Sequence, residues 1–350
     1  MTDCLFCSVR PADSGEHIVL EALGGRRETR GLLCEPCNNR FGGTIDAELE
    51  RAFRPMSLMA GCFRGDNKPV ASLRGLTDEK GKPFEVHHGG TGRQTKPITV
   101  RSHSPKGVRS KDLRHFDEEQ IAQILAAEAR RLGVSSGDLT VTGTSETGVR
   151  KTAVNMDLSF GGRSQYRSVV KMGLAALVRE EALIRNSEAE TAAAFVNSGD
   201  GWLWAIDPQA RSVRDALGVS TAQHLLLVHE QAGGWEVLFL GFGIIGLRAR
   251  LPTPGQEFAG VAHVVSPIDK SHDVVHAPPA VRLTPLSALD HSIESARPMF
   301  QELQQWMQFH MSFSPVRATV EQSTENSARR ASKHWRTNTF PRSHRGSLAR

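Results

Sequence analysis

The spacing of apolar residues changes along the chain, and each change marks an element. Ile45, Leu49 and Phe53 recur at i, i+4 and i+8, so the stretch from about Glu35, CNNRFGGTIDAELERAF, passes from a turn into helix. Just before it, GLLC predicts a short strand, and Gly24-Gly25 a hairpin turn or loop. In FDEEQIAQILAAEARRLG, Ile121, Ile124, Leu125, Ala129 and Leu132 share one helical face, acidic residues lead and Gly133 ends it. LTVTGT and VNMDLSF alternate as strands do. QYRSVVKMGLAALVREEAL predicts a helix with Val169, Val170, Gly173, Leu174 and Leu177 inward, and ETAAAFV a short one. HLLLVHEQAGGWEVLFLGFG predicts a hairpin turning at Gly233-Gly234, with strands buried on both faces. A last helix, SIESARPMFQELQQWMQFHM, carries Met299, Leu303, Trp306, Met307 and His310, with Pro298 in or near its first turn.

These elements predict an α+β protein in four parts. Residues 1–60 form a small module and 61–115 a basic linker or loose β segment. Residues 116–313 form a mixed α+β domain, and 314–350 a basic, disordered tail. The chain has 350 residues, ample for a buried core, and 23% charged residues, as in globular proteins. The longest apolar run, VLFLGFGIIGL, is too short to span a bilayer, and MTDCLFC has no signal pattern, so a cytoplasmic protein is expected.

The net charge of +5 is unevenly spread. Residues 64–115 hold twelve basic and five acidic side chains, and 315–350 hold eight and two. Two positive segments on a near-neutral body suit a polyanion such as nucleic acid, or serve solubility alone.

Four of the five cysteines lie in the first 37 residues, as Cys4-x2-Cys7 and Cys34-x2-Cys37 separated by 26 residues. Two such pairs present four thiolates to a tetrahedral Zn²⁺, and a reducing compartment favours metal over disulfide. A closed four-sulfur site is structural, holding a module too small to rely on its own core. Cys62 stands outside the pattern, as a small buried side chain.

Zinc does not explain EHIVLEALGG or the Asn after Cys37. If the cysteines converge, Glu16 and His17 on the first strand meet Asn38 on the helix. Glu16 and Asn38 offer hard oxygens suited to Mg²⁺ or Mn²⁺, and the imidazole of His17 can take a proton from water.

CLFC, EHIVLEALGG and LLCEPCNNRFGGTID together resemble the HNH endonuclease superfamily, of the ββα-metal or His-Me finger type, in its four-cysteine zinc subgroup. The resemblance covers roughly residues 1–55. It implies an N-terminal zinc-stabilised ββα-metal module followed by a mixed α+β domain. It also implies His17 as general base, Glu16 and Asn38 as ligands of a catalytic Mg²⁺ or Mn²⁺, and Cys4, Cys7, Cys34 and Cys37 as ligands of a structural Zn²⁺. The expected reaction is hydrolysis of phosphodiester bonds in nucleic acid, double-stranded DNA first. Asn39 is a second candidate for the helix ligand, with Asn38 preferred because it directly follows the zinc cysteine. The family often has an Asn on the second strand that orients the base. Here RETRGLLC has none, leaving Thr29 or a backbone carbonyl for that task. Asp46 is expected to stabilise the start of its helix. Arg26, Arg27, Arg30 and Arg40 could contact phosphates, or be solvated surface charges. The alternative is a non-catalytic zinc ribbon that binds nucleic acid or regulates.

Overall fold

The computed structural model describes residues 2–78, 81–94, 98–103, 109–114, 123, 126–127, 130–131, 152–255, 257–278, 281–289, 293–313 and 316–322. The expected helix at 116–133 falls almost wholly outside them, as do the strand at 139–144 and the tail from 323.

The chain opens with two two-residue strands, β1 (Glu16–His17) and β2 (Glu28–Thr29), paired antiparallel. Their connection folds back tightly. The backbone N–H of Gly25 donates to the Leu20 carbonyl at 3.1 Å, and a Cβ at Gly25 would lie 1.7 Å from the Val19 oxygen, so only glycine fits there. Two helices follow, α1 (Glu35–Gly42) and α2 (Ile45–Met59), and Ile45, Leu49 and Phe53 are buried along α2. GLLC, predicted as a strand, is instead an irregular bend. Leu32 and Leu33 are fully buried there, but the Leu32 carbonyl is spent on the Leu5 N–H in the first cysteine loop rather than on a strand ladder.

Residues 64–115, expected as linker or loose β structure, supply β3 (Leu73–Asp78), β4 (Pro83–Val86), β5 (Gly92–Gln94), β6 (Ile98–His103) and β7 (Arg109–Arg114). Among the described residues, β6 and β7 pair only with each other. β3, β4 and β5 join β8 (Thr152–Leu158) in a sheet whose order is β15-β8-β3-β4-β5. Its edge is β15 (Val316–Gln322), parallel to β8. This corrects the expected disorder from 314. VRATVEQ alternates apolar and polar residues, a strand pattern that the surrounding Ser/Arg-rich composition masks.

Next come α3 (Arg163–Arg179), α4 (Ser187–Ser198), β9 (Trp204–Asp207), α5 (Ala210–Leu217), β10 (His224–Gln231), β11 (Gly234–Gly241), β12 (Ile245–Arg250), β13 (Val261–Ser266), β14 (Ser271–His276) and α6 (Ile293–Phe313). The last five strands and β9 form one antiparallel sheet, ordered β14-β13-β10-β11-β12-β9. β10 and β11 are buried on both faces apart from the ends next to their turn. Pro298 lies just past the first turn of α6, near the start as expected.

The N-terminal module does not have a core of its own. One continuous buried cluster runs from Cys4 and Ile18 through Phe41 and Phe53 to α3, the inner face of the large sheet and Met307 on α6. Phe53 packs against Phe160, Phe239 and Phe242, with centroids 5.0, 5.6 and 6.4 Å away. A Cβ at Gly241 would lie 2.1 Å from the Phe53 ring, so a glycine in β11 lets α2 sit down on the sheet.

Candidate functional site

The cysteines converge because two local turns aim them at one point. In the first, the Cys4 N–H donates to the Arg10 carbonyl at 2.7 Å and the Ser8 N–H to the Cys4 carbonyl at 2.9 Å. In the second, Cys34 is the N-cap of α1, with Pro36 in the first turn, and Cys37 falls one turn on. All four Sγ atoms lie within 4.8 Å of one another, and those of Cys7 and Cys34 are 3.8 Å apart. Four sulfurs bonded tetrahedrally at about 2.3 Å would be ~3.8 Å apart, so the cluster fits zinc. Burial pushes the Cys34 and Cys37 thiols up, whereas the Val9 N–H chiefly holds Cys7 down at about 7. A bound cation would favour the thiolate form of all four.

Register places the candidate base. Glu16 lies opposite Thr29, and His17 opposite Glu28. His17 Nε2 is 3.4 Å from Glu28 Oε1, with both side chains partly open to solvent. Thr29, one of the two groups expected to orient His17, is buried and donates instead to the Arg30 carbonyl at 3.4 Å. Glu28 is the residue missed. Nothing in its local sequence singles it out, and hairpin pairing puts it across from His17.

Glu16 is buried, and its Oε1 accepts from the ammonium of Lys171 on α3, 155 residues away. Lys171 is itself fully buried and reaches Asp46 Oδ2 at 2.8 Å, while Ser168 Oγ donates to Asp46 Oδ1 at 2.6 Å. Asp46 does lie in the first turn of α2, as expected, but its side chain ties that turn to α3. Burial raises the Glu16 carboxyl above its ordinary 4.5, and Lys171 only partly offsets this. Burial works against the Lys171 ammonium too, but Asp46 and Glu16 outweigh it and hold Lys171 above 10.5.

Asn38 completes the group. Its Nδ2 donates to the Gly15 carbonyl at 2.8 Å and to Ser14 Oγ at 3.0 Å, which clamps α1 to the residue preceding Glu16 and leaves Oδ1 as an acceptor. Asn39 is exposed. Among the arginines, Arg26 donates to Asn67, Arg30 to the Asp13 carbonyl and Arg40 to Asn197. Arg27 uses only Nε, toward the His272 carbonyl at 3.2 Å.

Residues 4–54, which span the cysteines, Glu16, His17, Asn38 and most of α2, match the family model described as HNH endonuclease. The clustered cysteines fit its zinc-binding subgroup. This match supports a nuclease-type function in general, with nucleic acid as substrate or partner. No curated protein and no solved structure matches the chain. Among the described residues, no helix is long and apolar enough to cross a membrane.

Proposed function

We propose that the protein is a metal-dependent HNH-type endonuclease that hydrolyses phosphodiester bonds in double-stranded DNA. The observation that carries this reading is the His17–Glu28 pair on a hairpin next to the four-cysteine cluster, beside Glu16 and Asn38. With Nε2–H directed at Glu28, Nδ1 of His17 carries the lone pair and takes a proton from the attacking water. Glu28 fixes the ring and stabilises the imidazolium formed as the proton moves. Glu16 and Asn38 would hold Mg²⁺ or Mn²⁺ through carboxylate and amide oxygens, a donor set suited to a hard ion. When bound, that ion supplies charge stabilisation at the phosphate and the departing 3′ oxygen. Lys171 binds Glu16 through Oε1, so Oε2 is the oxygen left for an ion. The structural zinc keeps β1, β2 and α1 in register for this arrangement.

The grip of Lys171 on Glu16 favours one competing reading, a zinc-ribbon binder without catalysis. Plasmid cleavage with Mg²⁺ or Mn²⁺, run beside His17→Ala at equal zinc content, separates the two. The nuclease reading expects nicking or linearisation that falls by about 10²–10⁴ in His17→Ala. Plasmid bound but uncut by both proteins would support the binder. Equal cleavage by both would overturn the assignment of Glu16, His17 and Asn38.

A further inference from the structure

A cleft of about 410 Å³ opens beside the hairpin, between Arg27, the end of α3 at Arg179 and the inner face of β13 and β14. A chain of hydrogen bonds determines what its buried wall presents. The backbone N–H groups of Arg26 and Arg27 both donate to His272 Nδ1, at 3.0 and 3.2 Å. Nδ1 of His272 must therefore be an acceptor, and the proton of this neutral ring sits on Nε2. That nitrogen lies 3.1 Å from Nδ1 of His263, so it donates there, and His263 in turn carries its proton on Nε2. His263 is fully buried and lines the cleft, and its Nε2 has no hydrogen-bond partner among the described residues. A buried N–H without an acceptor is destabilising, and an acceptor in the cleft would relieve that.

The cleft carries charges of both signs. Among the described residues, Arg27 lines the cleft with its terminal nitrogens uncommitted, and Arg179 is exposed and makes no ion pair. Two carboxylates also face the cleft. Glu180 is engaged by His276 Nδ1 at 3.1 Å, and Glu181 is exposed. Burial chiefly holds His263 neutral, down at about 3, with His272, Arg27, His276 and Arg179 adding to it. A neutral N–H beneath two guanidinium groups is a donor set for a tetrahedral oxyanion.

We propose that this cleft is a phosphate-binding site, in which Arg27, Arg179 and the Nε2–H of His263 grip one phosphate. Arg27 is next to Glu28 in β2 and its carbonyl accepts from the Ile18 N–H, so the site shares the hairpin that carries His17. The phosphate comes either from the backbone of a nucleic acid lying across the hairpin or from a free nucleotide. The first source rests on the nuclease reading, and the phosphate chemistry does not.

The test uses the full chain with ¹⁵N-labelled histidine, titrated with inorganic phosphate and, separately, with a short DNA duplex in Ca²⁺. The His263 imidazole resonances report the site, and Arg179→Gln changes a surface residue whose loss does not threaten folding. The expected result is a saturable shift of the Nε2–H signal by both ligands. Arg179→Gln should weaken duplex binding about three- to tenfold and reduce its salt slope by about one. A shift with phosphate and none with duplex would support the site and assign it to a free nucleotide. No saturable shift with either ligand, or unchanged binding in Arg179→Gln of a ligand that does shift His263, would overturn it. These readouts involve no cleavage, so the site survives or falls independently of the plasmid assay.

Discussion

Two cations are fully buried among the described residues, each between two carboxylates, and they are bound differently. Arg248 on β12 is fully buried in the large sheet. Its Nη1 donates to Asp207 at 2.9 Å and to the Thr284 carbonyl at 3.0 Å, and its Nε donates to Glu236 at 3.0 Å. Most partners of this rigid fork lie on paired strands of that sheet, and neither Asp207 nor Glu236 belongs to any candidate site. Lys171 is equally buried, but its flexible stem joins α3 to Asp46 on α2 and to Glu16 in the HNH hairpin. The Arg248 cluster is internal to one sheet. The Lys171 cluster ties the sheet-packed helix to a carboxylate with proposed work to do.

Breaking the zinc cluster should have the largest effect and should separate the two ion clusters. Cys34→Ser is expected to lose more than nine-tenths of its zinc by elemental analysis, since such sites contribute about 10–16 kcal/mol. Lys171 should then become open to acetylation while the amides of β10–β12 stay protected from exchange. Loss of protection in both regions would mean that the module and sheet unfold as one unit.

Removing either buried cation leaves two carboxylates unpaired, so Lys171→Met and Arg248→Met should each lose about 3–5 kcal/mol in urea unfolding. Mn²⁺ should restore melting temperature in Lys171→Met, because the ion can replace the lost charge at Glu16, and not in Arg248→Met. Equal response of the two variants would remove Glu16 from the metal site.

The pH dependence differs at the two ends of the scale. Lys171 is raised above 10.5, so its contribution is fully present below pH 10.5 and is lost as pH rises through its folded value. At the acid end, burial lowers His224 and His263 to about 3, and His229 and His272 to about 4. Their stability is present above pH 6.5 and is lost as pH falls toward those values, at up to about 1.4 kcal/mol per pH unit for each. Denaturant midpoints from pH 8 to 4 test this, and a flat profile would contradict four neutral buried rings.

The smallest effect belongs to Glu28→Gln. An exposed pair contributes about 0.2–1 kcal/mol, so cleavage should fall no more than about fivefold, with the unfolding midpoint unchanged. A loss as large as that of His17→Ala would make Glu28 far more than a positioning residue.

The helices α1 to α4 and α6 and the β10–β11 hairpin were readable as periodic patterns, because a helix or hairpin depends on residues close in sequence. The cysteine pairs and the Glu16-His17 dipeptide carried the HNH resemblance for the same reason. Lys171 gave no signal. In VVKMGLAAL it looked like a polar interruption in an apolar face, and only the packing of α3 against the hairpin shows that it is buried. Strand β15 was hidden by its composition, and GLLC failed as a strand because its backbone was taken up by the metal loop.

By itself, then, the sequence determined the two cysteine pairs, the candidate base and its neighbour, and the alternation of apolar faces, all properties of spacing over a few residues. Only the tertiary structure decided the partners: Glu28 for His17, Lys171 for Glu16, and the backbone of Arg26 and Arg27 for His272. Each depends on register or on packing between elements, and two of them join residues about 155 and 246 positions apart. At such separations, burial and hydrogen-bond satisfaction of the whole core select the partner, and no local pattern encodes it.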